Sequence, residues 1–135
     1  MRVLSFDFGL KFLGVAAGQS ITNTAAGVTT LRCNEGKPKW REIKTLTEKY
    51  APDTLVVGLP LNMDGSESEM SRLARNFGRE LSRRTGRSVV FQDERLTSKS
   101  AESELEHAQA YGQAETDHEL AACMIAEDFL RTLNR

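Results

Sequence analysis

At 135 residues and 15.0 kDa the chain has room for one layered core and not for two independent domains. A content of 39% hydrophobic and 27% charged residues belongs to an ordinary soluble globular protein, and no apolar run is long enough to cross a bilayer, which excludes a membrane partner. The formal net charge of -1 excludes a global attraction to polyanions, so any nucleic-acid binding needs a local basic patch.

Met1-Arg2 passes straight into a strand pattern with no signal-peptide organisation, which points to the cytoplasm. Three early strands are predicted, Arg2–Phe8, Phe12–Gly18 and Gly27–Arg32, the first two joined by a tight turn at Gly9. A helix follows from about Lys39 to Tyr50, with Trp40, Ile43, Leu46 and Tyr50 on its apolar side, and Pro52-Asp53 ends it. The run Thr54–Pro60 is continuously apolar and β-branched, as in a central strand covered on both faces. Ser66 and Glu69 have capping-box spacing and open a long helix to about Thr85, with a stripe of Met70, Leu73, Phe77 and Leu81, closed by Gly86. Ser88–Gln92 is a short buried strand, and Ser98 or Ser100 can cap a helix to about Tyr111, stopped by Gly112. Thr116 with Glu119 is another capping-box spacing, so the last helix runs from near Asp117 to about Leu133, apolar enough to lie in the core. Cys33 and Cys123 are too few for a disulfide framework or zinc cluster, and Cys123 reads as a buried inert thiol. The order βββαβαβαα predicts a single α/β domain, a mixed sheet with helices on both faces.

The acids stand out against this background. Asp7 sits within an apolar strand, where a carboxylate needs a basic partner such as Lys11, backbone amides, or a metal ion. Glu94 lies just past the last strand, and Asp117 with His118 lies in the first turn of the last helix. Strand carboxyl ends and helix starts gather on one edge of such a sheet, so these three points can meet there. Convergent carboxylates suit Mg²⁺ or Mn²⁺ and a phosphodiester substrate. Each acid also has a plain structural reading: Glu94 as a partner of Arg95 or a helix cap, and Asp117 as a favourable charge at a helix N-terminus.

Four segments carry a resemblance. They are Asp7-Phe8-Gly9-Leu10-Lys11 with Gly14-Val15-Ala16; Val56-Val57-Gly58-Leu59-Pro60-Leu61-Asn62-Met63-Asp64-Gly65-Ser66; Asp93-Glu94-Arg95-Leu96-Thr97-Ser98; and Ala121-Ala122. Over essentially its whole length the chain resembles the YqgF family, also called RuvX, of bacterial pre-16S rRNA processing or Holliday junction resolvase-like nucleases. The resemblance implies an RNase H-like fold and Mg²⁺- or Mn²⁺-dependent hydrolysis of precursor rRNA or branched DNA. It matches the family's first-strand aspartate with Asp7 and the glutamate of its Asp-Glu-Arg-Leu motif with Glu94, and it implies an aspartate opening the last helix. That pattern, resembling Asp-x-x-Ala-Ala, would put the acid at 118, where this chain has His118, with Asp117 one residue earlier. One residue turns a helical side chain by about 100°, so Asp117 as the third metal ligand requires a shifted first turn, and His118 is the alternative ligand or proton donor. Phe12 stands where an arginine often follows the motif lysine.

Arg72, Arg75, Arg79 and Arg83 fall within about 80° of arc on the long helix, a stripe able to track a phosphate backbone or, alternatively, a solvated face balanced by Glu80. Lys11, Asn62 and Arg95 are further candidate substrate contacts on the same edge. A non-catalytic RNA-binding or assembly module is the rival reading, and either a monomer or a homodimer is compatible with it.

Overall fold

The computed structural model describes residues 1–95 and 117–133. Among the described residues, strands β1 (Arg2–Asp7), β2 (Phe12–Gln19), β3 (Thr24–Asn34), β4 (Lys37–Pro38), β5 (Thr54–Leu59) and β6 (Val89–Asp93) form one sheet in the order β4-β3-β2-β1-β5-β6. The first four strands form antiparallel pairs, while β5 runs parallel to β1 and β6 parallel to β5. The helices are α1 (Trp40–Tyr50), α2 (Glu69–Thr85) and α3 (Asp117–Leu133).

Strand alternation divides the core in two. Leu4, Phe6, Leu13, Val15, Leu55, Val57 and Leu59 pack with Ile43 of α1 and Ala74, Phe77 and Leu81 of α2. Val3, Ala16 and Val56 point the other way and pack with Ala122, Cys123, Ile125, Ala126, Phe129 and Leu130 of α3. All six residues of β5 are buried, as a strand covered on both faces must be. Burial also pushes the Cys123 thiol up to about 11, in keeping with an inert core cysteine.

Several boundaries differ from the sequence reading. β1 stops at Asp7, β3 extends to Thr24 and Asn34, and the two-residue β4 was not predicted. The cap of α2 is Ser68, not Ser66. Ser66 is already committed, because its N–H and hydroxyl both donate to Asp64 Oδ1, at 2.9 and 2.6 Å, closing a turn. Ser68 Oγ instead accepts from Ser71 N at 3.0 Å while Ser71 Oγ accepts from Ser68 N at 2.8 Å, and Ser68 Oγ donates to Pro60 O at 2.6 Å. The buried line of α2 is accordingly Ser71, Ala74, Phe77, Gly78 and Leu81, with Met70 and Leu73 as half-buried flanks. The predicted helix from Ser98 or Ser100 to Tyr111, with Gly112 and the Thr116 cap, lies outside the described residues.

Candidate active site

Asp7 ends β1 and faces Gly14 of β2 across an antiparallel ladder, where opposed residues project to the same side of the sheet. A Cβ on Gly14 would lie 2.0 Å from the His118 carbonyl oxygen, so the Asp7 side of the sheet carries the first turn of α3. Ser5, two residues back on the same face, donates to Ala122 O at 2.6 Å and anchors the helix there. Asp117 is exposed at the start of this turn, and the His118 ring packs on Phe12 with centroids 4.9 Å apart.

Glu94 reaches the same edge from β6. Its N–H donates to Leu59 O at 2.8 Å, and its Cγ lies 3.4 Å from where a Gly58 Cβ would stand, so the side chain lies over bare β5 backbone. Burial is the main force on its carboxyl and contact with the Asp128 carboxyl comes next; with the charges of Asp128, Asp93 and Asp7, these push it up to about 9. Glu94 Oε1 is buried with no hydrogen-bond partner among the described residues. Glu94 therefore holds a proton at neutral pH unless a cation takes its place.

Asp7 and Glu94 thus share one edge as expected. The acid that acts most on Glu94 is Asp128, which also pairs with Arg131, followed by Asp93 and Asp7; Asp117 is not among the charges felt there. Asp128 was missed because an acid in the fourth turn of a core helix reads as its solvated side; the available signal was its spacing of three from Ile125, which packs on Gly58 beside Glu94. Among the described residues no three His, Cys, Asp or Glu side chains converge closely enough to hold a metal ion. The donor chemistry nonetheless fits a hard divalent cation, since a buried, unpartnered carboxylate oxygen amid further carboxylates lacks positive charge.

The two long motifs meet beside Glu94. Arg95 pairs with Asp93 at 3.1 Å rather than with Glu94, donates to Met63 O at 3.3 Å, and lies 2.9 Å from a would-be Gly65 Cβ. Gly65 adopts φ +86, and its N–H donates to Asn62 O at 2.8 Å. The Asn62 amide donates inward, to Ser66 Oγ at 3.1 Å and Glu67 O at 3.3 Å, holding the turn together.

The arginine stripe is largely paired with side chains of its own helix and of the residues just before it. Arg72 meets Glu69, Arg75 meets Glu67 while lying over Phe91, Arg83 and Arg84 meet Glu80, and Arg79 donates to Asn76. Lys11 is exposed in the β1–β2 turn, its carbonyl accepting from Cys33 N at 2.7 Å.

A family model described as "RuvX: Holliday junction resolvase" matches residues 1–132. A protein of Actinobacillus succinogenes named "Putative pre-16S rRNA nuclease" is 42% identical over 134 residues, covering 96% of this chain and 94% of its own. One of the same name from Haemophilus ducreyi is 43% identical over 129 residues, covering 94% of each. Among solved structures, Thermus thermophilus RuvC in complex with Holliday junction substrate superposes with TM-score 0.64 at 13% identity, over 99% of this chain and 96% of that one. The fowlpox virus Holliday junction resolvase superposes with TM-score 0.56 at 13% identity, over 98% of this chain and 99% of that one. At such identities the likeness concerns fold alone, and that fold is RNase H-like. With a matching model over 132 residues and relatives above 40% identity along nearly its full length, the chain belongs to the RuvX family.

Proposed function

We propose that this protein is a divalent-metal-dependent endonuclease acting on structured RNA, with precursor 16S rRNA as substrate. The observation that carries the reading is Glu94: a buried carboxyl short of positive charge, on the same sheet edge as Asp7, in a chain over 40% identical to relatives named for pre-16S rRNA cleavage.

Asp7 and Glu94 would hold Mg²⁺ or Mn²⁺, with Asp117, His118 or Asp128 of α3 supplying the third contact. When bound there, a divalent ion would supply positive charge that acidifies an attacking water and offsets the charge on the leaving oxygen. The protein's own part is positional. Gly58 admits the Glu94 side chain against backbone, Gly14 lets the start of α3 approach Asp7, and loading releases the proton held by Glu94. Arg72, Arg75 and Arg83 can exchange their carboxylate partners, and Arg79 its Asn76 amide, for phosphates, since surface ion pairs are worth only about 0–1 kcal/mol.

Branched DNA is the second reading, favoured by the family model's description as a Holliday junction resolvase. Resolution needs two symmetric cuts and so a homodimer, whereas trimming an rRNA end needs only a monomer. Cleavage of a precursor rRNA fragment and of a four-way DNA junction, in Mg²⁺ and in Mn²⁺, tests both. Metal-dependent RNA cleavage abolished by Asp7→Asn is the expected result. Binding of either substrate without cleavage in any metal would leave a non-catalytic module and overturn the nuclease reading.

A further inference from the structure

The face of the sheet that carries Asp7 continues across β2 and β3 to β4, and its far end is cationic. Asp7 opposes Gly14, Gly14 opposes Thr30, and the Thr30 hydroxyl faces Glu119 Oε2 of α3 at 3.5 Å, so this row looks toward α3. Two residues along the ladder Phe12 opposes Arg32, and the Phe12 ring packs on His118, so Arg32 stands on the same face. Next comes Cys33 with Pro38, a buried pair whose cysteine belongs to the core under α1 and α2. Alternation then returns the following pair, Asn34 with Lys37, to the face of Arg32 and Asp7. Glu35 and Gly36, at φ +49 and +80, make the two-residue turn between β3 and β4. Cys33 N to Lys11 O at 2.7 Å and Gly36 N to Leu10 O at 2.9 Å tie this corner to the turn that follows Asp7. With strands about 4.8 Å apart and a rise of about 3.4 Å per residue, the Arg32 Cα lies about 12 Å from that of Asp7, close enough for one bound strand of nucleic acid to reach both side chains.

Charge sets this end of the sheet apart. From Arg32 to Lys44 five Lys and Arg stand against Glu35 and Glu42, a local net charge of +3 in a chain whose total is -1. Arg32 and Lys37 are exposed, and none of the ion pairs among the described residues takes up either, whereas Arg72, Arg75, Arg83 and Arg84 each meet a glutamate. A phosphate arriving at an unpaired cation releases counterions without first breaking an ion pair, so these two groups should bind a polyanion more strongly than the paired stripe on α2. We propose that Arg32 and Lys37 bind neighbouring phosphates of the substrate strand and lead it over β4, β3 and β2 toward Asp7. The ligand is a phosphodiester backbone of any sequence, held at the end of the sheet remote from β5 and β6, where α2 packs. The direction of the track toward the carboxylates rests on the nuclease reading; the phosphate contacts themselves do not.

The test measures the affinity of the full-length protein for a precursor rRNA fragment in Ca²⁺ across a salt series. Arg32→Ala/Lys37→Ala is expected to weaken binding about tenfold or more at about 0.1 M salt and to reduce the salt slope by about 1.4–1.8, the worth of two phosphate contacts. Arg32→Lys keeps the charge and should keep the slope. Lys44→Ala/Lys49→Ala removes the same charge from α1, which packs on the opposite face through Ile43, and should leave the slope unchanged. In Mg²⁺ the Arg32→Ala/Lys37→Ala protein should cleave with a raised KM and a kcat near wild type. An unchanged slope for Arg32→Ala/Lys37→Ala, as when carboxylates of this chain already neutralise both groups, overturns the inference. An equal loss in Lys44→Ala/Lys49→Ala also overturns it, since net charge alone then accounts for the effect. A fall in kcat with no change in KM overturns the track toward Asp7. Wild-type protein that binds with the expected slopes yet cleaves in no metal overturns the nuclease reading and leaves the two phosphate contacts standing.

Discussion

The main chain of His118 occupies the space that a side chain on Gly14 would need, with the carbonyl oxygen 2.0 Å, the carbonyl carbon 2.5 Å and Cα 3.1 Å from an ideal Cβ. Gly14 is the ladder partner of Asp7, so this contact sets how near the last helix comes to the first carboxylate. Gly14→Ala must push α3 outward and strain the Ser5–Ala122 bond. It should destabilise the protein by about 3 kcal/mol in chemical denaturation, and a loss under about 0.5 kcal/mol would show that the helix is not seated this way.

Asp7→Asn keeps the shape of the side chain and removes the charge. Cleavage should fall by about 10²–10³-fold or more in both Mg²⁺ and Mn²⁺, while the denaturation midpoint stays near wild type. Retained metal-dependent cleavage would remove Asp7 from the site.

Three variants on α3 separate the candidates for the third contact. If residue 118 is the ligand position, His118→Asp raises activity more in Mg²⁺ than in Mn²⁺ and Asp117→Asn matters little. If the first turn presents Asp117, Asp117→Asn inactivates and His118→Asp does not help. If Asp128 acts through its contact with Glu94, Asp128→Asn shifts the acidic limb of the pH–rate profile to lower pH, because a neighbour that raises the Glu94 carboxyl has been removed. Cleavage unchanged in all three variants would rule out a contribution from this helix.

Glu94 makes stability depend on pH. Its carboxyl moves from an ordinary 4.5 in the unfolded chain up to about 9 in the folded one, so the folded state binds the proton more tightly. The favourable contribution is fully present below about pH 4.5 and is lost as pH rises toward 9. In chelator, wild-type stability should therefore decline across this window by up to about 1.4 kcal/mol per pH unit, and Glu94→Gln should flatten the decline. Mg²⁺ added at pH 8 should restore stability to wild type and not to Glu94→Gln. Identical pH slopes for the two proteins would contradict the buried, proton-holding carboxyl.

The stripe on α2 is tested by Arg72→Ala/Arg75→Ala/Arg79→Ala. RNA affinity should drop for all sequences alike, and each lost phosphate contact should reduce the salt slope by about 0.7–0.9. Part of the effect on folding will come from Arg75, whose guanidinium lies 5.5 Å from the Phe91 ring centroid. An unchanged slope would make the stripe a solvated face.

Local chemistry was enough to read much of this protein from its residues. The β-branched run at 54–59, the β1–β2 hairpin, the left-handed Gly86 cap and the core character of the last helix follow from side-chain period and backbone preference, and they appear as expected. Asp7 and Glu94 were legible for the same reason, since a carboxylate at the end of an apolar strand conflicts with its neighbours wherever the strand lies. Competition and proximity were decided only in three dimensions. Ser66 lost the helix cap because Asp64 engages it first, and the wide reach of β3 depends on its pairing with β2. Asp128 joined Glu94 because α3 crosses the sheet over Gly58, and Arg95 found Met63 rather than Glu94 because odd and even positions after β6 leave opposite faces. Periodicity assigns a residue to a face of its own element; which acid meets which, across 33 residues of intervening chain, depends on how closely glycine lets those faces approach.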